Sequence, residues 1–383
     1  LWTVYNGDRS VIMMLYYMKR KGINVTAEKL YVDEADENSD YTFIARDHWQ
    51  SLEERAISPQ EMECYTVGGD ALKWAGISLS DNVSGNGNEG VVVVKLADGK
   101  EGNAVVAARD GDRIVWSWHV WVTGYDPEAD IFEWTDANGI TYKYMDRNLG
   151  ALSAEKYSKD ALGLMYQWGR KDPFPGGDDV ESSVQKRLYD INGNQIYVKT
   201  ELRPTYNDNT STNLQLAIEH PDVFYYAPSS SWPAVDWLTD KASLQNNDLW
   251  GGKTNAKTIY DPCPEGWWMP AAGNGWGFRT EYKKAGKLND DSKYDESYPW
   301  YQDYDKSIGF RYKTKAGREY WFPLVGNIDP TKGTLQSVGG SALYNTRSDN
   351  SNTVFYENMA WGNPASESGL NRSYGAATRC IKE

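Results

Sequence analysis

The sequence predicts a β-rich or α+β protein, and three observations carry that reading. The chain holds 17 Trp, 27 Tyr and 8 Phe, residues that suit pleated, half-buried surfaces. It holds 35 Gly and 15 Pro, the residues of tight turns. Short alternating or apolar runs are bounded by those turn residues, whereas no heptad or internal repeat occurs. At about 100–200 residues per domain, 383 residues make two or three domains.

Residues 1–60 form an N-terminal segment of uncertain fold. Val11–Lys21 (VIMMLYYMKRK) fits a helix or a buried strand equally well. Glu28–Tyr41 is acidic and expected at the surface. Residues 61–125 read as a β-sandwich module of immunoglobulin-like type. Val91–Leu96 and Ala104–Ala108 are short apolar runs. Asp110-Gly111 is a hairpin turn signal, and Ile114–Val122 alternates, with Trp116, Trp118, Val120 and Val122 on one face. Tyr125-Asp126-Pro127 ends the module.

Residues 126–383 read as one larger domain. Ala161, Leu164, Met165 and Trp168 recur at i, i+3, i+4 and i+7, which predicts a helix capped by Ser158 and ended by Gly169. Asn207–Asn213 and Leu288–Ser297 are expected as polar loops. Arg311–Lys313 and Glu319–Val325 are expected to pair as a hairpin around Lys315-Ala316-Gly317.

Charge and composition exclude several functions. A net charge of −14 and a sequence pI near 4.8 oppose binding to nucleic acid phosphates or anionic lipid. The longest apolar run, Val11–Met18, is far below the roughly 20 residues of a membrane helix, so no direct membrane span is expected. The chain begins at Leu1, with no secretory signal in view, and reads as the mature part of a longer precursor. Asn24-Val25-Thr26 and Asn82-Val83-Ser84 match the glycosylation triplet, a common chance pattern.

Catalytic patterns are sparse. Cys64, Cys263 and Cys380 show no metal-type spacing, and His48, His119 and His220 stand apart. His119, in an alternating strand, fits packing better than catalysis. His220 precedes Pro221 and fits a turn. No G-x-S-x-G, H-E-x-x-H or P-loop pattern occurs. Cofactors are expected to be none. Calcium is the one metal with candidate oxygen ligands, at Asn207–Asn209 and Asn289–Ser292, where solvated loops are the plainer reading.

Ser341–Tyr374 is the richest candidate ligand face. It carries Tyr344, Asn345, Arg347, Asp349, Asn350, Asn352, Phe355, Tyr356, Asn358, Trp361, Asn363, Asn371 and Tyr374. Aromatic side chains give rigid contact area at low entropy cost, and amides give adaptable hydrogen bonds, the mixture found in antibody-type paratopes. The same mixture stacks on sugar rings and bonds their hydroxyls. A polar turn region between strands is the alternative.

Four segments together resemble one family. Met145–Leu152 (MDRNLGAL), Gly163–Phe174 (GLMYQWGRKDPF), Tyr260–Pro270 (YDPCPEGWWMP) and Thr378–Glu383 (TRCIKE) are similar to the Fibrobacter-type major paralogous domain, a C-type-lectin-like fold of Bacteroidetes surface proteins. The likeness covers residues 130–383. Gly102–Val122 resembles the module that precedes this domain in fimbrillin-like and pilus-tip proteins. Gly266–Ala271 (GWWMPA) departs from the family's usual pattern at the start of its second helix. Leu343–Thr346 (LYNT) stands where a Trp-Ser-Ser motif is usual, which puts the core contact there in doubt.

The resemblance implies a C-type-lectin-like domain after the sandwich, with its ends together, its long loops at one end and a disulfide between Cys263 and Cys380. It implies an extracellular, fimbrial or outer-membrane-associated adhesin whose partners are host or microbial glycans or surface proteins, and other pilus subunits. The Asn, Tyr, Ser and Asp content of the terminal segment also resembles lectin-fold variable proteins diversified by retroelements. A structural pilus subunit without its own ligand, and a carbohydrate-active enzyme with paired acids, stay as alternatives.

Overall fold

A computed structural model describes residues 2–6, 9–13, 40–43, 59–67, 92–95, 101–110, 113–135, 139–189, 194–204, 210–227, 236–252, 255–264, 266–272, 300–305, 308–314, 317–350, 353–360 and 363–382. The protein is β-rich, as its turn and alternation pattern predicts, with one α-helix, Thr210–Glu219, among the described residues.

A seven-stranded sheet runs in the order Trp2–Asn6, Arg9–Met13, Arg113–Thr123, Gly102–Asp110, Pro59–Val67, Leu188–Tyr189, Gln195–Ile196. The expected hairpin is present: Gly102–Asp110 pairs antiparallel with Arg113–Thr123, with an irregularity at Ala108/Arg109. Val92–Lys95 pairs separately with Asp40–Phe43. Strands from residues 1–60, 61–125 and 188–196 thus share one sheet, and strand pairing crosses the 125/126 boundary. Buried polar bonds cross it as well. The Asn103 side chain donates to the Gly150 carbonyl at 2.8 Å, and the Ser117 hydroxyl donates to Asp172 at 2.6 Å.

An eight-stranded sheet holds Pro173–Pro175, Leu164–Gln167, Gly375–Ala377, Val325–Ile328, Ser341–Asn350, Thr353–Ala360 and Asn363–Leu370 in that order, with Leu335–Val338 paired to Val325–Ile328. Each face is covered by its own core. Tyr344, Ala342 and Met359 join Phe132, Phe322 and Val325 on one side, while Leu343, Val354 and Tyr356 join Trp168, Trp250 and Cys263 on the other. This double coverage closes Ala342–Arg347 from water on alternate sides of the strand.

The periodic segment at 161–168 is not a helix. Ser158 does cap a short turn, its hydroxyl accepting from the Asp160 amide, but the turn is a 3-10 element of three residues, Lys159–Ala161. Leu164–Gln167 is instead a strand buried on both faces. A short apolar run of that kind satisfies helical and strand spacing alike, and the sheet contact decides. Conversely, Thr210–Glu219 is helical where a polar loop was expected to reach Asn213. Asn213, Ala217 and Ile218 are its buried residues, and the helix lies against Arg113–Thr123.

The four family-like segments meet in space. The Leu149 amide donates to the Thr378 carbonyl, and the Leu164 amide to the Leu149 carbonyl. Met165 pairs with Ala377, Trp267 pairs with Lys382, and Cys263 is bonded to Cys380. Arg379 is buried there, donating to Asn148 Oδ1 and the Trp321 carbonyl, with its guanidinium 3.7 Å from the Phe322 ring centre. The LYNT segment keeps a core contact: Thr346 accepts from the Trp168 indole at 2.9 Å.

Candidate ligand-binding surfaces

The thirteen residues expected to face a ligand divide sharply. Tyr344, Asn345 and Tyr356 are fully buried, which corrects the expectation that they present themselves to a ligand. The Tyr344 hydroxyl donates to the Pro323 carbonyl at 2.9 Å. Asn345 Nδ2 lies within hydrogen-bond distance of the Tyr166 and Ala376 carbonyls and Thr378 Oγ1, so its amide joins strands. The Tyr356 hydroxyl donates to the Asn371 carbonyl, and its ring meets Tyr374 edge-on. The physical reason is the two-sided core: an aromatic residue mid-sheet is worth more buried than exposed.

Asn358, Asn371 and Tyr374 are half-buried. Asn352 and Trp361 lie outside the described residues, as do the side chains of Asn350, Phe355 and Asn363. Arg347 and Asp349 remain, at the end of the strand where core gives way to surface.

Arg347 is 8% exposed. Its guanidinium lies 3.7 Å from the Trp268 ring centre, donating to the Met269 carbonyl at 2.8 Å and to Asn255 Oδ1 at 2.6 Å. Burial lowers its pKa, opposed by the nearby Asp261 carboxylate. Asp349 accepts from Asn247 Nδ2 at 2.8 Å. Asn247 in turn accepts from Arg372, a buried cation that donates to the Asn246 carbonyl, stands 4.7 Å from the Trp168 ring centre and lies 3.7 Å from Asp236. Burial raises the Asp236 pKa, with Arg372 as the largest opposing influence. A rim of Asn247, Asn255, Trp268, Arg347 and Asp349 is therefore held in fixed orientation from three separate chain segments. Asn247, Asn255 and Trp268 carry no sequence signal, because only folding brings them beside residue 347.

His119 is structural, as its place in an alternating strand suggests. It is 2% exposed, with Nε2 2.9 Å from Asn103 Oδ1 and Nδ1 3.1 Å from the Tyr166 hydroxyl. Beside this group, Lys171, Asp172 and Ser117 form a second closed cluster, with the ammonium 2.6 Å from the carboxylate. His220 lies just past the α-helix, on a cleft of about 520 Å³ bordered by Glu201, Arg203 and Tyr225. A second cleft, of about 390 Å³, lies between residues 154–156 and the hairpin of Gly309–Thr314 and Glu319–Pro323.

Among the described residues, no group of three or more His, Cys, Asp or Glu is placed to hold a metal ion, and no helix is long and apolar enough to cross a membrane. The candidate calcium loops, both sequons and Leu288–Ser297 lie outside the described residues. No family model, curated protein or solved structure matches the chain.

Proposed function

We propose that this chain is an extracellular or cell-surface binding protein of adhesin type, with a C-type-lectin-like C-terminal domain, that recognises a glycan or a surface protein without covalent chemistry. The observation that carries this reading is the rim around Arg347. A guanidinium stacked on Trp268 and bonded to Asn255, beside the Asn247–Asp349 pair, offers an aromatic and polar surface already fixed in position. Such preorganisation lowers the entropy cost of binding. The Cys263–Cys380 bond suits an oxidising, extracellular setting.

The pilus-subunit alternative, which needs an open strand edge, gains less support. Two edge strands of the eight-stranded sheet carry Pro173, Pro175 and Pro364, and proline removes the backbone donor that strand addition uses; Leu335–Val338, paired on one side only, is a short edge of four residues. The test is a screen of host glycans and surface proteins with the full chain and with Asn255→Ala and Arg347→Lys variants first shown to be folded. Saturable binding that weakens at least about tenfold in both variants is expected, the scale of one lost charge-assisted contact. Equal binding by parent and variants removes the rim from recognition.

A further inference from the structure

The cleft between residues 154–156 and the Gly309–Thr314/Glu319–Pro323 hairpin is built differently from the rim. The hairpin register sets Arg311 opposite Trp321 and Lys313 opposite Glu319, while Phe310, Tyr312, Tyr320 and Phe322 belong to the core. Arg311 Nη1 donates to Glu319 Oε1 at 3.1 Å. Lys156 Nζ approaches the other carboxylate oxygen, Oε2, at 3.8 Å. The Glu319 carboxylate is thus oriented by two cations on different walls, and it stays 35% exposed to the cleft and solvent.

Tyr157 follows the 154–156 wall in the chain. Its φ is +66°, a left-handed conformation that a bulky residue rarely adopts. Its ring meets Trp321 edge-on, 5.5 Å between centres, and stays half-buried. Strained residues of this kind persist where surrounding structure holds them, often at ligand clamps. Glycine would suit the same backbone without strain, so the aromatic side chain at this position is the feature to explain.

We propose that this cleft is a saccharide subsite that takes the vicinal diol of a neutral pyranose. An Arg N–H and a carboxylate oxygen one hydrogen-bond length apart present a donor and an acceptor side by side. Neighbouring ring hydroxyls are spaced on the same scale, about 3 Å, so one accepts from Arg311 while the next donates to Glu319. The two cations of the cleft, Arg311 and Lys156, are matched by two carboxylates, Glu319 and Glu155. A neutral polyol therefore binds without leaving any of them unpaired, whereas a charged ligand would displace one. The C–H face of the sugar then lies toward the aromatic wall of Tyr320 and Trp321, the latter backed by the Tyr157 ring. A volume of about 390 Å³ accommodates one or two pyranose rings, within the usual range of ligand clefts. This site is separate from the Arg347 rim and shares with that reading only the class of ligand.

The test titrates the full chain with methyl glycosides of glucose, galactose and mannose and with their 3-deoxy analogues, which lack both vicinal ring diols, followed by saturation-transfer NMR and calorimetry. Millimolar, saturable binding of at least one glycoside is expected, with its 3-deoxy analogue about tenfold weaker. Glu319→Gln and Tyr157→Gly should each weaken binding about tenfold. Lys156→Met, at an exposed position that folding tolerates, should weaken it severalfold with an unchanged unfolding midpoint. Absence of saturation by every glycoside, equal affinity of the deoxy analogues, or unchanged affinity in folded cleft variants would each overturn the proposal. Failure of the rim reading appears elsewhere, as unchanged binding of Asn255→Ala and Arg347→Lys in the host-ligand screen.

Discussion

Acidification should destabilise the protein through His119, and the hydrogen bonds around the ring show why. The Asn103 Nδ2 donates to the Gly150 carbonyl, so its Oδ1 faces the imidazole as an acceptor. Nε2 therefore carries the proton, and Nδ1 accepts from the Tyr166 hydroxyl. The neutral ring is satisfied on both sides, and a second proton on Nδ1 would meet the O–H of Tyr166. Burial lowers the His119 pKa from 6.5 to about 3. The unfolded chain then binds the proton more readily than the folded one between those values. Stability from this group is complete above pH 6.5 and declines as pH falls toward 3. At pH 5 the loss is about 1.5 pH units times 1.36 kcal/mol, or roughly 2 kcal/mol. Urea unfolding at pH 7 and pH 5 measures it against His119→Gln. The variant should be less stable at pH 7 by about 1–3 kcal/mol, because Asn103 or Tyr166 loses its partner. Its further loss between pH 7 and pH 5 should be smaller than the parent's by about 2 kcal/mol. Equal losses in the two proteins would refute the argument, since carboxylates common to both would then account for the whole pH dependence.

Three other outcomes follow from the geometry. Reducing the Cys263–Cys380 bond, which spans 117 residues, should lower stability by about 2–5 kcal/mol, read as a shift of the urea midpoint with and without dithiothreitol. Tyr356→Ala should cost about 3–5 kcal/mol by the same measurement, because the ring is enclosed and its hydroxyl holds the Asn371 carbonyl; a change under ~1 kcal/mol would place it at the surface after all. Gly326→Ala should cost at least ~2 kcal/mol in thermal or urea unfolding, since φ is +73° and an added Cβ would stand 2.2 Å from the Gln336 carbonyl oxygen.

Much of the local structure was legible in the sequence. The hairpin at Asp110-Gly111, the strand Arg113–Thr123 and the pairing of Gly309–Thr314 with Glu319–Pro323 follow from alternation and turn residues that act over a few positions. The packing role of His119 followed from its strand as well. Leu164–Gln167 was misread because Ala161, Leu164, Met165 and Trp168 match helical spacing while the strand, buried on both faces, shows no alternation, and the helix at Thr210 was missed because Thr, Ser and Asn at its start resemble a loop. The candidate site was the least legible part. A run of Tyr and Asn reads as a binding loop, but in Ser341–Asn350 the same residues fill two cores and tie three strands together.

The sequence by itself determined a β-rich chain and the positions of its tight turns; the bond between Cys263 and Cys380, 117 positions apart, was only implied by a resemblance and is formed in the folded chain. Only the tertiary structure decided which aromatic and amide side chains meet solvent. Burial depends on what covers each face of a sheet, and the covering residues here, such as Trp168 and Trp250 against Tyr356, come from segments over a hundred positions away. Folding likewise brings Trp268 and Asn255 beside Arg347, from 79 and 92 positions away, and Lys156 beside Glu319. These groups become neighbours because strands distant in the chain pair and pack, a long-range event that no local pattern encodes.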